Sequence, residues 1–215
     1  SLITIKEYGG PRLERPPVYE KLNFDYALDL IRNPAGTVIT NWAEADSPNG
    51  SPSAIELRFR TDNVITNPTM SGIMNLYTIN AENSEDILVD VAFSRGTLGR
   101  IRVNGTASAE IECFDGKWTN TILENDGSEL KLTAKRSKYG KIVATVTSSY
   151  THTQLIQPTG SITFGSASTA GVRLEGELQE FRLWKEPLDN SAFENHTKAP
   201  SAYDGNVDAY DELVF

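Results

Sequence analysis

Cysteine is almost missing from this chain. Cys113 is the only one, so an internal disulfide is excluded, and nothing demands an oxidising compartment. Cys113 itself reads as a small buried hydrophobe. Histidine is nearly as scarce, with only His152 and His196. Two histidines and one cysteine spread along the chain do not make a zinc site. Clustered basic residues are also lacking. No basic run exceeds Lys135-Arg136, and the net charge is −9. Tracking phosphates needs grouped Lys and Arg, which argues against nucleic acid and against an anionic membrane surface. The acidic balance favours solubility and can hold cations weakly. No apolar run approaches the ~18 residues of a membrane span, so membrane insertion is not expected. An initiating Met, a charged n-region and an apolar h-region are all missing. The opening residues read like mid-chain sequence, and Phe215 ends on an apolar note. An excerpt from a longer polypeptide is the expectation.

What is present points to a folded, turn-rich domain. The 215 residues are 39 % hydrophobic and 23 % charged, with 16 Gly and 10 Pro. A chain of this size buries roughly 70 % of its unfolded surface. Residues 1–21 mix a short apolar run (Leu2, Ile3, Ile5) with Gly9-Gly10-Pro11 and Pro16-Pro17, and read as an arm or linker. From Leu22 onward the hydrophobic period is two. Ile55, Leu57 and Phe59 alternate with Glu56, Arg58 and Arg60. Ile87, Val89, Val91 and Phe93 alternate likewise, as do Ile101 with Val103 and Leu130 with Leu132. Alternation puts one apolar and one wet face on each strand. Strands at short spacing predict a sandwich or barrel. Asn104-Gly105 and Asp126-Gly127 suit tight hairpins, and Tyr139-Gly140 marks another corner. Asn104-Gly105-Thr106 and Asn195-His196-Thr197 are also glycosylation sequons. The hairpin reading of the first is preferred. One short helix is expected, opened by Asp189-Asn190-Ser191 and ending near Pro200, with His196 at its close. Residues 201–215 form an acidic connector containing Asp204, Asp208, Asp211 and Glu212.

Two segments carry a family resemblance. Asp115-Gly116-Lys117-Trp118, then Ile122 to Gly127 and Leu130-Lys131-Leu132, resembles the tryptophan-turn passage of laminin-G-like and pentraxin-like domains. Ile162 to Gly165, then Gly176 to Trp184 and Pro187-Leu188, is similar to the closing strand of those domains. Ala54 to Arg60 and Val89 to Val103 resemble their earlier strands. The matches fall in the family's order across residues 22–200. The resemblance implies an all-β, two-sheet antiparallel jelly-roll sandwich of the concanavalin A-like superfamily. Asp115 and Gly116 would turn the chain into a strand, and Trp118 and Phe181 would fill the space between the sheets. Gly176 would allow close backbone approach. Trp184 would cover an edge of the core.

Catalytic chemistry is not expected. A glycan hydrolase needs two carboxylates in one groove, held ~5–9 Å apart. Glu110 and Glu112 come nearest, but read as a solvated strand face before the tryptophan turn. Glu177 and Glu180 break the period of two and read as surface charge. No Gly-x-Ser-x-Gly elbow and no phosphate-cradling glycine loop occurs. For binding, the resemblance implies a calcium site at the sandwich rim. The matching stretch, Gly105 to Ala109, holds no carboxylate, and Asn104 is the only nearby oxygen donor with reach. No cofactor is therefore expected, with calcium the one candidate. Trp42, Asp46, Asp62 and Asn63 are candidate ligand contacts on other loops, although Trp42 also suits a core position. The reading is a non-enzymatic binding or scaffold module of a larger assembly. The segment from His196 to Phe215 resembles connectors in large phage virion proteins. A tail, fibre or capsid-decoration component is expected, meeting neighbouring virion proteins or host-surface glycans and oligomeric through its parent. A calcium-assisted lectin module of a secreted or cell-surface protein is the first alternative, and a glycan hydrolase or lyase the second.

Overall fold

The computed structural model describes residues 28–29, 37–39, 54–61, 73–80, 87–94, 99–125, 128–151, 162–164, 176–184, 186–202 and 205–206. These form twelve strands and one helix. The strands are β1 (Leu28–Asp29), β2 (Thr37–Ile39), β3 (Ala54–Arg60), β4 (Ile73–Asn80), β5 (Ile87–Ser94) and β6 (Arg100–Val103). They continue as β7 (Thr106–Ala107), β8 (Thr119–Asn125), β9 (Glu129–Lys138), β10 (Lys141–Thr151), β11 (Ile162–Phe164) and β12 (Glu177–Trp184). Helix α1 covers Asn190–Lys198.

One six-stranded sheet has the order β1-β12-β3-β8-β9-β10, and the other β2-β11-β4-β5-β6-β7. Every recorded strand pair is antiparallel. The chain is therefore an all-β jelly-roll sandwich, and among the described residues one short helix lies near its C-terminal end. Between the sheets, β3 contributes Ile55, Leu57 and Phe59. Across from them β4, β6 and β11 contribute Leu76, Tyr77, Ile79, Ile101, Val103, Ile162 and Phe164. Phe181 packs against this core and meets Phe164 edge-on at 5.0 Å.

Local chemistry sets the connections. Val103 pairs with Thr106, leaving Asn104 (φ 44°) and Gly105 (φ 84°) as a two-residue turn. Tyr139 (φ 53°) and Gly140 (φ 71°) close β9 onto β10 in the same way. Positive φ at both central positions matches the right-handed strand twist. The closing strand β12 contains a bulge between Gln179 and Arg182, with Glu180 at φ 55°. The extra residue keeps Leu178, Phe181 and Leu183 all on the core side. Gly176 lies just before β12, where an added Cβ would stand 2.3 Å from the Arg60 carbonyl oxygen. Only glycine fits that approach.

Three expectations need correction. The outward face of β3 is not wet: Glu56 is 1 % and Arg58 3 % exposed. Trp118 is buried, but not between the sheets. It shares the outward parity of Asn120, whose register partner is Arg58. The guanidinium groups of Arg58 and Arg60 lie 4.5 and 5.2 Å from its ring centre. Glu110 and Glu112 are exposed as expected, but they occupy the irregular segment 108–118 rather than a strand.

Candidate functional site

Helix α1 lies on the outer face of the sheet that contains β3, and a second small core forms beneath it. Ala54, Ile122, Trp184, Leu188 and Phe193 make that core. Trp184 is therefore central to its own cluster, rather than a cover for an edge. Burying two large aromatic rings there contributes on the order of 2–3 kcal/mol each.

Charge is buried alongside them. The Glu56 carboxylate accepts from Trp184 Nε1 at 3.2 Å and from Arg182 Nη1 at 3.4 Å. His196 Nδ1 stands 3.1 and 3.0 Å from its two oxygens. A carboxylate only accepts, so His196 carries a proton on Nδ1. Its ring stacks on Trp184 at 5.5 Å with 16° between planes. Arg182 also donates to Glu180 at 2.6 Å and to the Pro200 carbonyl at 2.7 Å. His196 thus does not simply end the helix; it is 0 % exposed and pins α1 to β3.

A second anchor is Lys135, whose side chain is 2 % exposed. It donates to Asn190 Oδ1 and, at 3.1 Å, to Glu194 Oε1. Hydrogen bonds from Asn190, Lys135 and Lys198 hold the Glu194 carboxyl at about 2, below its ordinary 4.5. Ser137 Oγ donates to the Thr197 carbonyl at 2.8 Å. Beyond the helix, the Asp189 amide donates to Asn206 Oδ1 at 2.6 Å. Asn206 Nδ2 donates to Glu186 and to the Pro187 carbonyl. Asn206 therefore lies against the start of the helix.

The tryptophan-turn signature has a mechanical role as well. Asp115 Oδ1 accepts from the Lys117 amide at 3.1 Å, and Gly116 follows at φ 73°. Arg136 grips both Asp115 oxygens at 2.9 and 2.8 Å and donates to the Glu112 carbonyl. This ties segment 108–118 to β9 and seats Cys113 and Phe114 in the core. Burial pushes the Cys113 thiol up to about 12, against a weaker downward pull from Arg136. The side chain is a neutral, enclosed thiol at pH 7, as its sequence setting implies.

Of the candidate ligand contacts, only Asn104 lies among the described residues. It is half-buried at the β6–β7 turn, where its positive φ serves the hairpin. Trp42, Asp46, Asp62 and Asn63 lie outside the described residues. Among the described residues no group of three or more His, Cys, Asp or Glu is placed to share a metal ion.

Open concave surface is found elsewhere on the same sheet. Glu124 on β8, Glu129 and Lys131 on β9, and Pro187 line a groove of about 160 Å³. Lys131 Nζ stands 3.3 Å from Glu124 Oε2. Small-molecule pockets are usually about 300–1,000 Å³, so this groove is small for one. Period-two reasoning missed it because its carboxylates come from two neighbouring strands.

Comparison with solved structures matches this architecture. Over 76 % of its length the chain superposes on the enzymatically active domain of bacteriophage CBA120 tailspike protein 2, with a TM-score of 0.50 and 13 % identity. In fold the chain is similar to a phage tailspike. The full-length tailspike protein 2 from the Escherichia coli O157:H7 bacteriophage matches over 82 %, with a TM-score of 0.51 and 14 % identity. The chain spans 26 % and 24 % of those two tailspike chains. The LG1-3 region of the laminin α2 chain matches over 69 % of this chain and 29 % of its own, with a TM-score of 0.45 and 10 % identity. No family model and no curated protein matches the chain.

Proposed function

We propose that this chain is a non-enzymatic binding module of a larger phage virion protein, carried on a tail or fibre and meeting host-surface glycans or neighbouring virion proteins. The observation that carries this reading is the use made of the buried charges. Glu56, Arg182, His196, Lys135 and Arg136 are all engaged in fastening the helix and the tryptophan-turn segment to one sheet. A general acid or base must reach a substrate proton, within roughly 2.6–3.2 Å or through one water. Glu56 and His196 face each other beneath the helix and are 1 % and 0 % exposed. The tailspike likeness supports the virion setting, with an extracellular or cell-surface setting as the alternative.

A second reading has two observations in its favour. Glu124 and Glu129 line one groove, and a tailspike domain described as enzymatically active shares the fold. On this reading the pair would act on a glycan, as acid and base or as acid and nucleophile. The calcium-assisted lectin reading rests on loops outside the described residues. A glycan array, run with calcium and again with a chelator, separates the binding readings. Retention of a defined glycan set in both runs supports a metal-independent module. Loss with chelator favours the lectin. No binding to glycans or to virion proteins overturns the proposal.

A further inference from the structure

Strand β10 is the outermost strand of its sheet, and among the described residues no strand pairs with its outer edge. It is eleven residues long. Natural edges are usually blunted by charge, proline or a bulge. Here the bulge sits at Ile142/Ala144, and Lys141 is the only charged residue of the strand. From Ala144 to Thr151 the edge has no charge, no proline and no recorded irregularity. The large hydrophobic side chains exposed among the described residues are Tyr139 (61 %), Val143 (59 %) and Tyr150 (36 %). All three lie on β10 or on its hairpin tip.

We infer that β10 is a self-association edge that pairs antiparallel with β10 of a second copy of this chain, about a two-fold axis at Thr147. Two observations select a copy as the partner. First, the chain carries −9 overall, so two copies repel over most of their surfaces. Strand β10 has no acidic residue, so two copies meet there without opposed carboxylates. Second, the strand is self-complementary in this register. Val146 and Ser148 pair with the core residues Ala134 and Leu132 on β9, so they face inward, and Tyr150 shares their side of the strand opposite Leu130 but stays exposed near the strand end. Thr145, Thr147 and Ser149 pair with Lys135, Thr133 and Lys131, so they face outward. Centring on Thr147 sets Thr145 against Ser149 of the copy, Val146 against Ser148, and Ala144 against Tyr150. Inward residues meet inward residues, and hydroxyls meet hydroxyls on the outer face. Pairs of this kind stabilise antiparallel sheets, and an interface of this symmetry is isologous and closed. The inference does not depend on the glycan-binding reading.

Sedimentation of the 215-residue chain across a range of concentrations tests it. A monomer–dimer equilibrium is expected. Thr147→Lys sets two like charges face to face at the axis and weakens the dimer by about tenfold or more. Thr147→Glu does the same, and an equal mixture of the two variants restores dimer. Far-ultraviolet circular dichroism checks that both variants stay folded, since Thr147 is exposed. A monomer at every concentration overturns the inference, as does a trimer or a dimer indifferent to both substitutions.

Discussion

Glu56 is the residue on which the outer layer turns. Its carboxylate is 1 % exposed and is shared by Arg182, Trp184 and His196. A buried pair adds little when compared with a well-packed apolar substitute, but removing one partner strands the other. Glu56→Ala removes the carboxylate that Arg182, Trp184 and His196 share. The expected loss is about 3–5 kcal/mol, read as a lower urea midpoint for the whole chain. An unchanged midpoint would show that the carboxylate does not organise this layer. Period-two alternation placed Glu56 on the correct face but made that face wet. The sequence contains no local sign that a helix some 130 residues later will cover it, because burial there arises from long-range packing. Trp118 illustrates the same gap. Its burial was legible from its size and turn, whereas the side it faces follows from the β3–β8 register, in which Arg58 pairs with Asn120, and only pairing reveals that.

At the scale of elements, helix α1 is short and is held more by partners than by its own propensity. Nine residues are marginal as an isolated helix, and the N-cap Asp189 makes no side-chain cap bond. Lys135, Ser137 and Glu56 supply what the helix lacks. Because the folded Glu194 pKa is lowered, its contribution is present above the ordinary value and lost as acid is added. Wild-type and Glu194→Gln chains should therefore differ in urea midpoint at pH 7. That gap should close as the pH falls from 4.5 towards about 2. A gap independent of pH would place the effect elsewhere. The β3–β12 contact offers a steric test. Gly176→Ala drives a methyl group towards the Arg60 carbonyl, with only 2.3 Å available. Overpacking of this kind costs about 1–3 kcal/mol, measurable as a lower melting temperature. The two-residue hairpins at Asn104-Gly105 and Tyr139-Gly140 were readable in advance, since Asn-Gly suits a turn with positive φ at both central positions and Gly140 marks the second corner. The bulge in β12 was not, because Glu180 carries no turn signature.

The whole molecule is a sandwich whose two sheets share one core, with a second layer built on the outside of one sheet. Its fold class was legible because alternation recurred strand after strand, and tertiary packing enforces that pattern. The candidate site was much less so. Glu124 and Glu129 line one groove through the pairing of β8 with β9, and sequence spacing says little about neighbours on adjacent strands. A module that grips a surface and an enzyme that degrades it can share this architecture, since fold alone does not fix function. The chain covers about a quarter of the tailspike chains it resembles, so the distinction rests on its own side chains. The most direct measurement is the product mass distribution after prolonged incubation with host-surface polysaccharides, for the wild-type chain and for Glu124→Gln and Glu129→Gln. Unaltered polysaccharide length in every sample is the expected result. Shortened chains with the wild type, abolished by either substitution, would contradict a binding-only role and assign the groove to hydrolysis.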